Sequence, residues 1–153
     1  MSRPVTRLFA LCALSAVAFG ASGTTVTGTL LISATVVDSC SIATQPLSFA
    51  DYRSDGAAAS ATAHAGIISL TCTKGTPVMV YLDSVPQLHS PSGTTLAYTL
   101  ASPTGRAWNS TSGVGAVGQG RTPVTLKVVG SIPAGQRAGS GTYRGEQLVR
   151  VVY

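Results

Sequence analysis

The sequence predicts an all-β domain of the sandwich class, and three observations carry that reading. Apolar and polar residues alternate with period two in segment after segment, as they do where a strand has one buried face. Glycine (17) and proline (8) recur at short intervals and supply turns between such strands. No stretch has the spacing of an amphipathic helix. The one helix-prone run, 57–65, is interrupted by Ser and Thr and reads as a loop.

The elements follow in chain order. Arg3 and Arg7 precede an apolar run at 8–19, and small residues come directly after it. This is the layout of a secretory signal peptide over residues 1–20, cleaved near 18–22. A membrane anchor is the competing reading, but the run is short of the ~20 residues a span needs. From Thr25 the chain alternates, with Val26, Gly28, Leu30, Ile32, Ala34 and Val36 on one face and Thr25, Thr27, Thr29, Leu31, Ser33 and Thr35 on the other. That pattern predicts an extended strand. Further strands are expected at 66–73, 77–83, 95–100, 122–130 and 142–153, with a short apolar piece at 47–49. The last of these ends the sequence at Tyr153, with Val149, Val151 and Tyr153 on one face. A terminus built of core-grade strand suggests that something grips it. Tyr143, at the entry to this strand, is placed to tie its hydroxyl to nearby backbone.

Composition narrows the function classes. Of 153 residues 44% are hydrophobic and 10% charged, enough to bury one core and far from the composition of a disordered chain. Net charge is +5, and loss of the leader with Arg3 and Arg7 leaves +3. The remaining cations are scattered singly, unlike the clustered, aromatic-interleaved patches that bind nucleic acid. Cys12 falls in the leader, so Cys40 and Cys72 remain as an even pair in an exported chain. A disulfide between them is expected, closing a loop whose cross-link contributes roughly 3–4 kcal/mol.

Candidate chemistry is thin. Gly113, Gly115 and Gly118 spell a dinucleotide motif, but no strand precedes them and no helix follows, so a flexible surface loop is expected there. His64 and His89 lie in unrelated loops with no nucleophile elbow nearby, which argues against a hydrolase and against a metal site. Trp108 with Tyr98 could form a sugar-stacking platform, though core burial is the commoner fate of such residues. Asn109-Ser110-Thr111 matches a glycosylation sequon.

Several pieces in order, 35–40 (TVVDSC), 47–49 (LSF), 66–73 (GIISLTCT), 96–100 (LAYTL), 128–136 (VVGSIPAGQ) and 141–143 (GTY), together resemble the spore coat protein U domain. That family also contains pilin subunits of the archaic chaperone–usher pathway. The sequence departs from the family's habits at His89-Ser90, where an Arg is common. It departs again at Gly145, where an acidic residue often stands, and at Asn109-Ser110-Thr111, where a Gly/Asp turn is frequent.

The resemblance implies an immunoglobulin-like sandwich that lacks its last strand. A periplasmic chaperone lends a strand to the open groove, and the N-terminal extension of the next subunit then replaces it. On this reading residues 21–36 are the extension and 37–153 the pilin domain. Val26, Gly28, Leu30, Ile32 and Ala34 form the donor face, while a C-terminal strand with Val149, Val151 and Tyr153 meets chaperone and usher. The partners implied are the protein itself or sister pilins, with no nucleic acid, small-molecule substrate or cofactor and no enzymatic activity. The destination implied is a surface fibre or coat reached through the periplasm. Two other uses of 25–36 stand beside this one: an ordinary first strand of a closed sandwich, or a strand folded back into its own subunit. A tip adhesin or other glycan-binding module is the alternative function.

Overall fold

The computed structural model describes residues 23–56, 58–60 and 65–153. The expected signal peptide and His64 lie outside them. The chain divides into two units, Met1–Ala34 and Thr35–Tyr153. In the first, residues 23–34 belong to no strand and are exposed throughout.

The second unit holds ten strands and, among the described residues, no helix. They are β1 (Cys40–Gln45), β2 (Ala59–Ser60), β3 (Gly66–Cys72), β4 (Pro77–Leu82), β5 (Gln87–His89), β6 (Thr95–Ala97), β7 (Thr99–Ala101), β8 (Val114–Val117), β9 (Val124–Ile132) and β10 (Val149–Val152). One sheet runs β1-β3-β9-β2, with β7 also on β9; a second runs β10-β4-β8; β5 and β6 form a separate pair. Every pairing is antiparallel.

Alternation sets the packing. Along β3 every second residue, Gly66, Ile68, Leu70 and Cys72, is buried, and along β4 Val78, Val80 and Leu82 are. These faces meet with Val128 of β9 and Trp108 in one core cluster between the two sheets. The Trp108 indole N–H donates to the Val80 carbonyl at 2.8 Å, so the ring enters the core with its one polar group paired. A second cluster, Ala59, Leu96, Tyr98 and Ile132, lies under the β5–β6 pair and the end of β9. Gly130 makes room there, since a Cβ would come within 3.0 Å of the Phe49 ring.

The disulfide forms between Cys40 and Cys72, which face each other across β1 and β3. The expected strands at 66–73, 77–83 and 122–130 are present with small boundary shifts. Several other expectations are corrected. The expected strand at 25–36, ordinary first strand included, is not formed, because alternation marks which face will be buried but cannot supply a ladder partner. The 95–100 segment breaks at Tyr98, whose N–H bonds Pro86; β6 before it pairs with β5, and β7 after it pairs with β9. Of 142–153 only β10 is strand, because Arg144 bridges to His89 and Tyr143 and Gln147 turn their polar groups elsewhere. The glycine-rich 113–118 segment is not a loop: it forms β8 against β4. A Cβ at Gly113 would fall 2.8 Å from the Tyr81 ring, so this glycine serves close packing. Within the expected 57–65 loop Ala59–Ser60 form the short β2, residues 57 and 61–64 lying outside the described ones, and 47–49 forms no strand.

Candidate strand-acceptor cleft

Among the described residues, β1 bonds only β3 and β10 bonds only β4, so each main sheet presents an unpaired edge on this side; β8, at the other end of its sheet, and β2 and β7, on β9, are terminal strands as well. Register shows which side chains of these edge strands point between the sheets. Ile42 and Thr44 lie opposite Leu70 and Ile68, both buried, so they share the inward face. Yet Ile42 is 45% exposed, and Thr44 is exposed too. On β10, Val149 and Val151 lie opposite the buried Leu82 and Val80 and are only half covered. Core-facing side chains on both edges therefore lack a cover that a closed sandwich would give them.

Beside them opens a cleft of about 1670 Å³. Ile68, Leu82, Leu96, Tyr98, Val128 and Ile132 line it from the core, and Val149 lines it from β10. Residues 46–55 form one wall and 138–147 another. Leu47, Phe49 and Tyr52 pack inward from the first wall, with Phe49 and Tyr98 rings 5.7 Å apart. Burial raises the pKa of the Tyr98 phenol above its ordinary value, and its hydroxyl meets the Gln147 amide at 3.1 Å. Both walls are irregular backbone held by side chains. The Tyr52 hydroxyl accepts from the Gln136 N–H at 2.8 Å. The Gln136 amide accepts from Ala97 N–H and donates to Ala97 carbonyl, each at 2.8 Å, taking the place of a neighbouring strand. Tyr143 donates its hydroxyl to the Gly139 carbonyl at 3.0 Å, the backbone tie expected of it.

The unpaired strands are pinned from outside the cleft. Arg150 forms a bidentate pair with Asp83, lies 4.3 Å from the centre of the Tyr81 ring, and donates to the Ser110 carbonyl. The hydrogen bond to Asp83 raises the pKa of the Arg150 guanidinium, which stays charged. At the start of β1, Ser39 and Thr73 exchange backbone and side-chain bonds, and the Thr73 hydroxyl donates to the Val37 carbonyl. The buried Thr76 hydroxyl donates to the Asp38 carboxylate. The chain is thus fastened at 37–39, where it enters β1.

Residues 26–149 match the family model described as the Spore Coat Protein U domain. The chain belongs to the Spore Coat Protein U domain family. Its fold matches that of a solved chain in the crystal structure of the CsuC–CsuE chaperone–tip adhesion subunit pre-assembly complex, from archaic chaperone-usher Csu pili of Acinetobacter baumannii. The TM-score is 0.56 at 20% identity, over 78% of this chain and 41% of that one. This chain thus spans under half the length of that neighbour, and the likeness establishes the all-β, immunoglobulin-like fold. No curated protein matches the chain significantly.

Within this Spore Coat Protein U domain the predicted site residues are not all brought together. Val149 lines the cleft, Val151 packs against the core two residues further along β10, and Tyr153 follows β10 with 59% exposure. Val26, Leu30 and Ile32 are 92%, 81% and 84% exposed, and Gly28 and Ala34 are exposed with them. Trp108 and Tyr98 are buried in different clusters, so the sugar-stacking platform does not exist. His89 pairs with Arg144 through backbone, and no cluster of metal-binding side chains occurs among the described residues. The Asn109 carboxamide oxygen accepts from Thr111 and Ser112 N–H groups, which makes the sequon a closed turn. Sequence reading missed Gln136, Asp38 with Thr76, and Arg150 with Asp83. Only Gln136 had a signal, its place after the Pro133–Gly135 turn.

Proposed function

We propose that this protein is an exported structural subunit that polymerises by donor-strand exchange, into an archaic chaperone–usher pilus or a related spore-coat or surface layer. The observation that carries the reading is the pair of unpaired edges beside the cleft, β1 and β10, whose inward side chains Ile42, Thr44, Val149 and Val151 are left partly or wholly exposed. Exposed apolar surface beside open strand edges is a template for strand addition, in which backbone bonds give affinity and alternate side chains give register. The extension of a second copy has the matching chemistry. Val26, Leu30, Ile32 and Ala34 enter the cleft on one face, and Gly28 allows close approach. Each fully buried aliphatic anchor contributes roughly 1.5–3 kcal/mol.

Before assembly a periplasmic chaperone covers the same cleft, with Val149, Val151 and Tyr153 at the shared edge, and an usher exports the subunit to a surface fibre that serves adhesion and biofilm. The role is structural, without catalysis, cofactor or nucleic acid. The test is deletion of residues 22–32 in cells that express chaperone and usher. Monomer–chaperone complexes persist and homopolymers vanish; fibres assembled from the truncated protein would refute strand exchange.

A further inference from the structure

The proposed exchange buries one face of the extension and leaves the other on the outside of the completed sheet. That outer face is Thr25, Thr27, Thr29, Leu31, Ser33 and Thr35. Leu31 is its single large apolar side chain and is 91% exposed. A face that met only water would be as well served by another Thr, and threonine has the higher strand preference.

The two open edges beside the cleft, β1 and β10, offer different outward neighbours. On β1 the outward row is Ser41, Ala43 and Gln45, opposite Thr71, Ser69 and Ile67. On β10 it is Arg150 and Val152, opposite Tyr81 and Met79. Leu148 precedes them in the same alternation and is joined to β4's end by the Asp83 N–H to Leu148 carbonyl bond of 2.9 Å. Leu148 is 63% exposed and Val152 48%. The single charge in the row, Arg150, is turned onto Asp83 and the Tyr81 ring. Large exposed apolar side chains on an outward row thus occur beside the cleft on β10 and not on β1.

We infer that Leu31 of an incoming second copy packs on the outward row of β10, against Leu148 or Val152, and acts there as a specificity residue that slows release of the cognate extension. The inference rests on the strand-exchange reading above and names a contact outside the cleft that the reading does not require. Period-two geometry fixes the face: if Leu30 and Ile32 point inward, Leu31 points outward. Register decides between the two partners, since Arg150 separates them.

The experiment follows depolymerisation of whole-chain polymers in guanidinium by native gel. It uses wild type, Leu31→Thr, Leu148→Thr, Val152→Thr and the two doubles with Leu31→Thr. Loss of a cross-strand apolar pair speeds release by about two- to fivefold. The effect of Leu31→Thr should disappear in one of the two β10 backgrounds and persist in the other, which also assigns the register. An unchanged rate in Leu31→Thr, or the same effect in all backgrounds, overturns the inference while leaving strand exchange intact. Ile32→Asp, on the inward face, is the separate control. It abolishes polymers if the strand-exchange reading holds; polymers that form regardless overturn that reading and the inference with it.

Discussion

Reduction of the Cys40–Cys72 disulfide should cost this domain a large share of its stability. The bond joins residues 32 apart in sequence, across the first pair of the β1–β3 ladder. Cross-linking a loop of that length removes chain entropy from the unfolded state worth about 3.7 kcal/mol at 25 °C. Small domains have only ~5–15 kcal/mol in total, and this one lacks a cover over part of its core. Reduction leaves both sulfur atoms in place, so no cavity term is added at Cys72, which is buried. The assay is urea unfolding followed by Trp108 fluorescence, with and without dithiothreitol, on the variant lacking residues 22–32, so that the proposed strand exchange cannot intervene. With a slope of ~1.5 kcal/mol per molar urea, the midpoint should fall by about 2.5 M. A fall below about 0.5 M would refute the reasoning, since the bond would then constrain little that β1 and its anchors at 37–39 do not already hold.

Gly113→Ala should destabilise by about 1–3 kcal/mol in thermal melts, as an overpacking change, because the added methyl meets the Tyr81 ring and the Val80 carbonyl. Gly75→Ser at an open turn is a poor control because its φ is +89°, so Lys74→Ala serves instead and should leave the melt unchanged. The raised pKa of Tyr98 carries a pH signature. Its folded value lies above the unfolded ~10, so its contribution is whole below that pH and is lost as pH rises through the folded value. Alkaline titration of tyrosinate absorbance should therefore show one phenol ionising late, and Tyr98→Phe should remove that late step.

The sandwich was legible wherever a strand has one buried and one wet face. Positions 68, 70, 78, 80, 82 and 128 are core in the structure as their alternation implies. Legibility failed for physical reasons at three places. Residues 25–36 alternate as well as any strand, but a ladder needs a second edge and periodicity does not report one. Residues 113–118 looked like a loop because glycine usually marks freedom; here Gly113 marks a place where Tyr81 leaves no room for a side chain. Tyr98 stands where one extended run changes neighbours from β5 to β9, and no local propensity encodes a change of partner. At the cleft, the apolar edge of β10 was readable from Val149 and Val151. Its walls were not, because Gln136, Tyr52 and Tyr143 act through bonds to backbone distant in sequence.

The character of the two open edges beside the cleft, β1 and β10, bears on why the cleft persists as an opening. Sheet edges exposed to water are ordinarily blunted by lysine, by proline, by a bulge or by an inward-pointing charge. β1 reads Cys-Ser-Ile-Ala-Thr-Gln and contains none of these; its proline, Pro46, comes one residue after the strand ends. β10 reads Val-Arg-Val-Val, and its one charge points outward and is neutralised by Asp83, so it does not guard the edge. Arg150 instead holds β10 to β4 from the outer face, which keeps the edge straight while its backbone groups stay free for pairing. An edge left unguarded by accident would favour aggregation, and an edge guarded by charge would refuse a strand. Two unguarded edges beside the cleft, each fastened to its own sheet (β1 by the disulfide on its core face, β10 by the Arg150–Asp83 pair on its outer face), have the chemistry that the proposed strand addition requires.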